Sequence, residues 1–155
     1  MVLSMSIEIQ PYKDDTNSEI MQLLLSADPN KESVQSYLKV ATLLAATDRD
    51  RVVGVAAIVI AGKEAELKNL AVSPARQGNG IAKQLIAEVV RNARSVGAKT
   101  LVVGTGNSSL AQLALYQKCG FRISAVIPDY FITYPEPIHE NGIGCMDMIQ
   151  LRLML

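Results

Sequence analysis

The sequence predicts an α/β fold, a single domain built on a mixed central sheet of about six to seven strands and flanked by four helices. Three observations predict it. Apolar residues alternate in some segments and recur at three- and four-residue intervals in others, in the order β-α-α-β-β-β-α-β-α-β-β. The 155 residues make one domain's worth, enough to bury roughly 70% of the unfolded surface without metals or disulfides. Hydrophobic residues at 49% and charged residues at 19% exclude intrinsic disorder. No repeat, low-complexity tract or linker divides residues 1–155.

The first strand, Ser6–Gln10, alternates Ile7 and Ile9 with polar neighbours and is expected to stop at Pro11. Asp14–Ser26 begins with capping residue types, carries Ile20, Leu23 and Leu24 at helical spacing, and ends at Asp28–Pro29. Lys31–Val40 reads as a second short helix. Thr42–Thr47 and Val52–Ile60 are β-rich runs separated by the polar turn Asp48-Arg49-Asp50-Arg51, a hairpin pattern. Glu66–Val72 follows as a strand closed by Ser73–Pro74. Gly80–Ser95 is the strongest helix, with Ile81, Leu85, Ile86, Val89, Val90 and Ala93 on one face and Gly97 as a stop signal. Lys99–Gly104 is a nearly continuous apolar strand, expected to be buried on both faces. Ser109–Lys118 is a helix in which Ser109 and Gln112 form a capping box, with Gly120 ending it. Phe121–Ile127 and Cys145–Leu155 are strands, joined by a Pro-, Gly- and Asn-rich loop at Pro128–Gly144.

Fifteen basic residues balance fifteen acidic ones, which argues against a wholesale nucleic-acid binder. The charges are segregated. Residues 1–67 hold six basic and ten acidic side chains, net −4; residues 68–122 hold eight basic against Glu88, net +7; residues 123–155 hold Arg152 against four acidic, net −3. Two readings stand: drift on solvated faces, or a middle third that handles a polyanionic small molecule. Cys119 and Cys145 make no disulfide framework, and His139 has no partner at metal-ligand spacing, so no metal is expected. Met1–Gln10 lacks the pattern of a secretory signal, and Met5 is an alternative start to Met1. The longest apolar run, Val52–Gly62, is about half of the ~20 residues a membrane helix needs. A soluble cytoplasmic protein with no membrane partner is the expectation.

Two glycine-rich segments compete for a ligand. Gln77-Gly78-Asn79-Gly80-Ile81-Ala82 lies between a strand and the long helix, flanked by Arg76 and Lys83. Glycines let backbone N–H groups converge there, and the helix N-terminus adds roughly half a positive charge. The segment suits a pyrophosphate; it also suits an ordinary strand–helix turn. Gly104-Thr105-Gly106-Asn107 resembles the start of a dinucleotide- or methyl-donor-binding loop but lacks the third glycine of GxGxxG, and too little chain follows for a doubly wound nucleotide domain. Those glycines are expected to ease a bulge or the exit from the strand.

Leu67-Lys68-Asn69-Leu70-Ala71-Val72-Ser73-Pro74, the Gln77–Ala82 loop and Leu115-Tyr116-Gln117-Lys118-Cys119-Gly120-Phe121 together resemble the GNAT-superfamily N-acetyltransferases. The loop is similar to the family's Q/R-x-x-G-x-G/A pattern, with Gln77, Gly80 and Ala82 at the defined positions, and the element order agrees over essentially the whole chain. Gly104–Phe121 and Tyr134–Met148 further resemble a small bacterial branch, some of whose members carry the label IAA acetyltransferase. That label does not name a substrate for this chain.

The resemblance implies a GNAT-like fold and direct transfer of acetyl from acetyl-CoA, a co-substrate, to a primary amine of a small molecule or protein. It implies that the strand 66–72 splays from the strand 99–104 and that pantetheine enters the gap. There Leu70, Ala71 and Val72 would meet it through backbone groups, and the Val72 amide would polarise the thioester carbonyl. Gln77, Gly78, Asn79, Gly80, Ile81 and Ala82 would hold the pyrophosphate. Tyr116 would protonate the departing thiolate, a task suited to a phenol still protonated at neutral pH. Where the family often has Asn seven residues before that tyrosine, this chain has Ser109; Ser109 and Asn107 are the candidates for that cofactor contact. Glu66, with Glu64 behind it, is the candidate general base, against a solvated strand-edge glutamate. His139 and Glu140 are candidates for an acceptor-site lining, against loop residues without a role. The acidic flanks suggest a cationic acceptor, and the apolar late strands allow a homodimer. The alternative function is a non-catalytic acyl-CoA-binding regulatory module of the same fold.

Overall fold

The predicted order of elements recurs in the computed structural model, which describes residues 6–13 and 17–155. Asp14, the expected start of the first helix, and the choice between Met1 and Met5 lie outside the described residues. The strands are β1 (Ile7–Tyr12), β2 (Thr42–Asp48), β3 (Arg51–Ala61), β4 (Glu64–Val72), β5 (Thr100–Gly106), β6 (Arg122–Ile127), β7 (His139–Glu140), β8 (Ile143–Gly144) and β9 (Met148–Met154). The helices are α1 (Ser18–Ala27), α2 (Lys31–Leu38), α3 (Ile81–Ser95) and α4 (Leu110–Lys118). Seven strands form one mixed sheet in the order β1-β2-β3-β4-β5-β9-β6, antiparallel except for the β4–β5 pair. None of the described helices is long and apolar enough to cross a membrane.

Local chemistry sets the boundaries. The Asn17 side chain accepts hydrogen bonds from the N–H groups of Glu19 and Ile20, and Asn30 does the same for Glu32 and Ser33, so both short helices start at a side-chain cap. The β2–β3 hairpin closes on Arg49-Asp50, with Arg49 at φ 57°. Two expectations change. β1 runs through Pro11 to Tyr12, because β1 is an edge strand and a missing N–H there breaks no ladder. The loop Pro128–Gly144 contains the β7–β8 hairpin, closed by Asn141 and Gly142, both at positive φ, as a type I′ turn requires.

Side chains alternate between two cores, one on each face of the sheet. Leu44 and Ala46 of β2 join Ile81, Leu85, Ile86 and Val89 of α3, while Leu43 and Ala45 join Ile20 and Leu24 of α1 and Val34 of α2. β4 breaks this alternation. Asn69 pairs with Ala57 but Leu67 with Ile58, which leaves Lys68 as an extra residue, a β-bulge. Before the bulge, Ala65 and Leu67 face α3. After it, Leu70 and Val72 face α3, while Asn69 and Ala71 turn to α1 and α2. The β4–β5 ladder also ends there, at Leu67↔Val103, so the two strands part from Lys68 onward.

Candidate active site

The parting of β4 from β5 opens a passage through the sheet, with a cavity on each face. The cavity on the α3 side, about 470 Å³, is bounded by Leu70 and Val72 of β4, the turn leading into α3, and Ala111, Gln112 and Leu115 of α4. Its wall at the helix start is mostly backbone. Gly80 is the N-cap of α3 and offers no side chain, so the N–H groups of Ile81, Ala82 and Lys83 have no helical partner and concentrate the positive end of the helix dipole. Gly78 and Gly80 sit at φ +80° and +79°, and a Cβ at either would meet nothing within 4 Å. Conformation, not space, demands glycine at both.

Two basic side chains border this cavity, and no carboxylate does. They are not equivalent. Arg76 is ion-paired with Asp48 at the end of β2, and its guanidinium holds the Asp48 carboxyl below the usual carboxylate range. Lys83 has no ion-pair partner among the described residues. Gln77 shapes the turn by donating from Nε2 to the Val72 carbonyl at 3.1 Å. Asn79 donates to the carbonyls of Arg76 and Gln77 and stands outside the cavity lining.

The cavity on the α1 side, about 450 Å³, shares Leu70 and Gln112 with the first. Tyr116 reaches it from α4. It is 4% exposed and packs edge-to-face on Phe121 at 5.7 Å. Burial, with a smaller contribution from Cys119, pushes its phenol well above the usual tyrosine range. Glu66 lines the same cavity and is half-buried, its Oε2 3.0 Å from Lys68 Nζ. Asn69 is 5% exposed. Its Nδ2 donates to the Leu24 carbonyl at 2.9 Å and to the Tyr37 hydroxyl at 3.0 Å, and its Oδ1 has no partner. Burial raises the Tyr37 hydroxyl to about 12, with the Asp28 charge adding to the shift and the Asn69 hydrogen bond opposing it.

The loop before β9 closes the far wall. Tyr130, Phe131 and Tyr134 stack edge-to-face at 4.9 and 5.2 Å. The Tyr134 hydroxyl donates to Asp28 Oδ1 at 3.1 Å, across 106 residues of chain, and Ser33 donates to Asp28 Oδ2 at 2.8 Å. Burial, with Asp28 adding to it, holds the Tyr134 phenol above its ordinary range.

Three expectations meet a different arrangement. Ser109 makes no capping bond; its Oγ donates to Glu140 Oε1 at 3.0 Å, as does Ser108 at 3.2 Å, so the carboxylate of the β7–β8 hairpin occupies the start of α4. A charged acceptor at a helix N-terminus outcompetes the local box. Asn107, expected at the cofactor, spends its side chain on the late loop: Nδ2 donates to the Gly144 carbonyl, and Oδ1 accepts from the N–H groups of Met146 and Asp147. It lines neither cavity. Gly104 and Gly106 are close-packed instead, since a Cβ would lie 2.7 Å from the Met148 sulfur at the first and would overlap Cys145 Sγ at the second.

The structure thus gathers Leu70, Val72, Gln77, Gly78, Gly80, Ile81 and Ala82 around one cavity and Glu66, Tyr116, Ser109 and Glu140 around the other. The Ala71 side chain belongs to the α1-side core, and His139 is exposed outside both linings. Cys119 is half-buried, and burial raises its thiol, the opposite of a nucleophile's environment. Among the described residues no group of three His, Cys, Asp or Glu side chains could hold a metal. Sequence reasoning passed over Asp28, Tyr37, Asn69 and Tyr134; Asp28–Pro29 read only as a helix stop.

Residues 10–121 match the acetyltransferase (GNAT) family. The uncharacterized N-acetyltransferase YvbK of Bacillus subtilis (strain 168) is 44% identical over 144 residues, 92% of this chain and 93% of that protein. The structure of an IAA acetyltransferase from Bacillus cereus ATCC 14579 superposes with a TM-score of 0.92 at 41% identity, covering 97% of this chain and all of that one. A GNAT family acetyltransferase from Elizabethkingia anophelis, solved with acetyl-CoA bound, superposes with a TM-score of 0.91 at 42% identity, covering 96% and 98%.

Proposed function

The chain belongs to the acetyltransferase (GNAT) family and is an acetyltransferase, and on that premise we propose that it transfers the acetyl group of acetyl-CoA directly to a primary amine of a small molecule or protein. One observation carries the reading: two cavities on opposite faces of the sheet meet at Leu70 and Gln112, where β4 leaves β5. A donor entering from the α3 side and an acceptor from the α1 side would touch only at that seam.

The residues present fit acetyl-CoA. The unpaired N–H groups at the start of α3, the turn Gln77–Gly80 and the Lys83 ammonium suit a pyrophosphate. The open edge of β4 at Leu70–Val72 suits an extended, amide-bearing arm. When bound, acetyl-CoA supplies the activated thioester; the protein supplies position and protons. We assign the Val72 amide to the carbonyl oxygen, where negative charge develops. Glu66 takes the proton of the entering ammonium, directly or through a water, because an alkylammonium with a pKa near ~10 must lose it before attack. Tyr116 gives its proton to the departing thiolate, and its buried phenol keeps that proton at neutral pH. Asn107 and Ser109 act on the acceptor-side loop. The acidic lining of the α1-side cavity supports a cationic acceptor.

The same reading takes residues 1–155 as one catalytic domain, working in the cytoplasm with acetyl-CoA and the amine as its partners. The exposed apolar residues Ile123, Val126 and Ile127 on the edge strand β6 support a homodimer through the late strands. Mixing the protein with acetyl-CoA and a panel of primary amines is expected to release free thiol. CoA binding without thiol release from any amine would overturn catalysis and leave the non-catalytic acyl-CoA-binding module.

A further inference from the structure

The α1-side cavity is larger than a reacting amine needs, and one end of it remains without a task in the reaction. That end lies under the α1–α2 connection, where Asp28, Tyr37 and Asn69 come together. Tyr37 bridges the other two: it accepts from Asn69 at 3.0 Å and feels the charge of Asp28. Asp28 is half-buried and receives three neutral donors, the Tyr134 and Ser33 hydroxyls and the Asn30 N–H. Among the described residues it has no cationic partner. Two further carboxylates line the cavity, Glu66 and Glu140, against one ammonium, Lys68, which Glu66 already holds. The aromatic set Tyr130, Phe131 and Tyr134 lines the same cavity and adjoins Asp28 through the Tyr134 hydroxyl, and aromatic rings attract cations.

An independent observation points to a ligand at the same end. Asn69 Oδ1 is buried without a hydrogen-bond partner, the one such side-chain atom among the described residues. Buried acceptors left empty are costly, and native proteins rarely keep one without a use. The Asp28 carboxylate and Asn69 Oδ1 at this end can only accept a hydrogen bond or a positive charge. A neutral or anionic tail would leave the carboxylate excess uncompensated.

We propose that the acceptor carries two basic nitrogens, one that is acetylated at the seam and a second, ammonium-like group held at the Asp28–Asn69 end against the aromatic wall. This rests on the reading of the seam as the place of acetyl transfer. The acceptor class is therefore a diamine or a longer amine with a distal cation, rather than an amino acid or a simple alkylamine.

The test compares amines of matched length: n-butylamine, 4-aminobutyrate and the α,ω-diamines from 1,3-diaminopropane to 1,6-diaminohexane, with thiol release from acetyl-CoA as readout. The preferred diamine is expected to exceed n-butylamine by about tenfold or more in kcat/KM, the scale of a charge-assisted hydrogen bond out of bulk water. 4-Aminobutyrate should rank last. D28N should remove most of the diamine's advantage, whereas Glu136→Gln, at an exposed carboxylate of the loop before β9 that lies outside the lining, should retain it. If D28N does not fold, raising the salt concentration on the native enzyme substitutes for it, and the diamine's advantage should shrink. Equal kcat/KM for n-butylamine and every diamine would overturn the proposal. If no amine releases thiol, the assignment of catalysis fails instead, and calorimetry in the presence of CoA still decides the subsite. Tighter binding of a diamine than of n-butylamine supports it, and equal binding overturns it.

Discussion

The α3-side cavity is walled at the helix start by backbone N–H groups and two basic side chains, whereas the α1-side cavity is walled by side chains, three of them carboxylates and five of them aromatic. On the proposed reading, the first would recognise a shape of charge common to a family that shares one co-substrate. The second is assembled from four separate stretches of chain, each free to differ. The glycines show the same contrast. Gly78 and Gly80 are glycine because of φ, while Gly104 and Gly106 are glycine because Met148 and Cys145 fill the space. A backbone site depends on conformation, and a side-chain site depends on packing.

The comparison is sharpest at the seam. Tyr116→Phe should lower kcat by about a hundredfold, the scale of lost general-acid catalysis, while CoA affinity changes by less than about twofold. Stopped thiol assays beside CoA calorimetry would separate the two. Equal loss in both would mean that Tyr116 serves the α3-side cavity as a binding group.

The glycine pairs give the next effect. Gly106→Ala should cost about 1–3 kcal/mol by overpacking against Cys145. Gly80→Ala should cost about 1–2 kcal/mol through its left-handed backbone. Thermal melts with and without CoA distinguish them. Gly80→Ala should also shrink the CoA-induced stabilisation, and Gly106→Ala should preserve it. The opposite pattern would break the assignment of the phosphate turn.

Lys83→Ala should weaken CoA binding about fivefold at low salt, with the difference fading as salt rises. Arg76→Ala should do less, since Asp48 already holds that guanidinium. A larger effect at Arg76, read by calorimetry, would reverse the order of the two cations.

The smallest effects are in pH. A general acid works in its protonated form, and burial raises the Tyr116 pKa, so the kcat profile should show no descending limb from this group below about pH 10. Asp48 shifts the other way. Its folded-state pKa is lowered, so its pairing with Arg76 stabilises the protein above the ordinary carboxylate value and is lost as pH falls through the lowered one. Asp48→Asn should therefore depress Tm more at pH 7 than at pH 3.

The backbone-built half of the site was readable in the sequence because glycine spacing and a helix start are local signals. Gln77–Ala82 and the helix after it form as their pattern predicts, apart from Asn79, whose side chain braces the turn from outside the cavity. The side-chain half was harder to read. Ser109 and Gln112 make a valid local capping pattern, yet Glu140, thirty-one residues away, takes the Ser109 hydroxyl. Asn107 has the right chemistry for a cofactor but is tied to residues 144, 146 and 147. Long-range hydrogen bonds of this kind leave no periodic trace. The Asn141-Gly142 turn, by contrast, did carry a hairpin signal within a segment read as loop.

The extra residue at Lys68 also makes the strand a counting device. Delete that single residue and the hydrophobic pattern of β4 stays intact on paper, but every side chain after it exchanges faces. Leu70 and Val72 would be delivered to α1, Asn69 to α3, and a regular ladder to β5 could zip past Leu67 and shut the passage. The shortest lesion that separates donor from acceptor is thus a frame shift of one residue within a strand, made without altering any residue assigned to the chemistry.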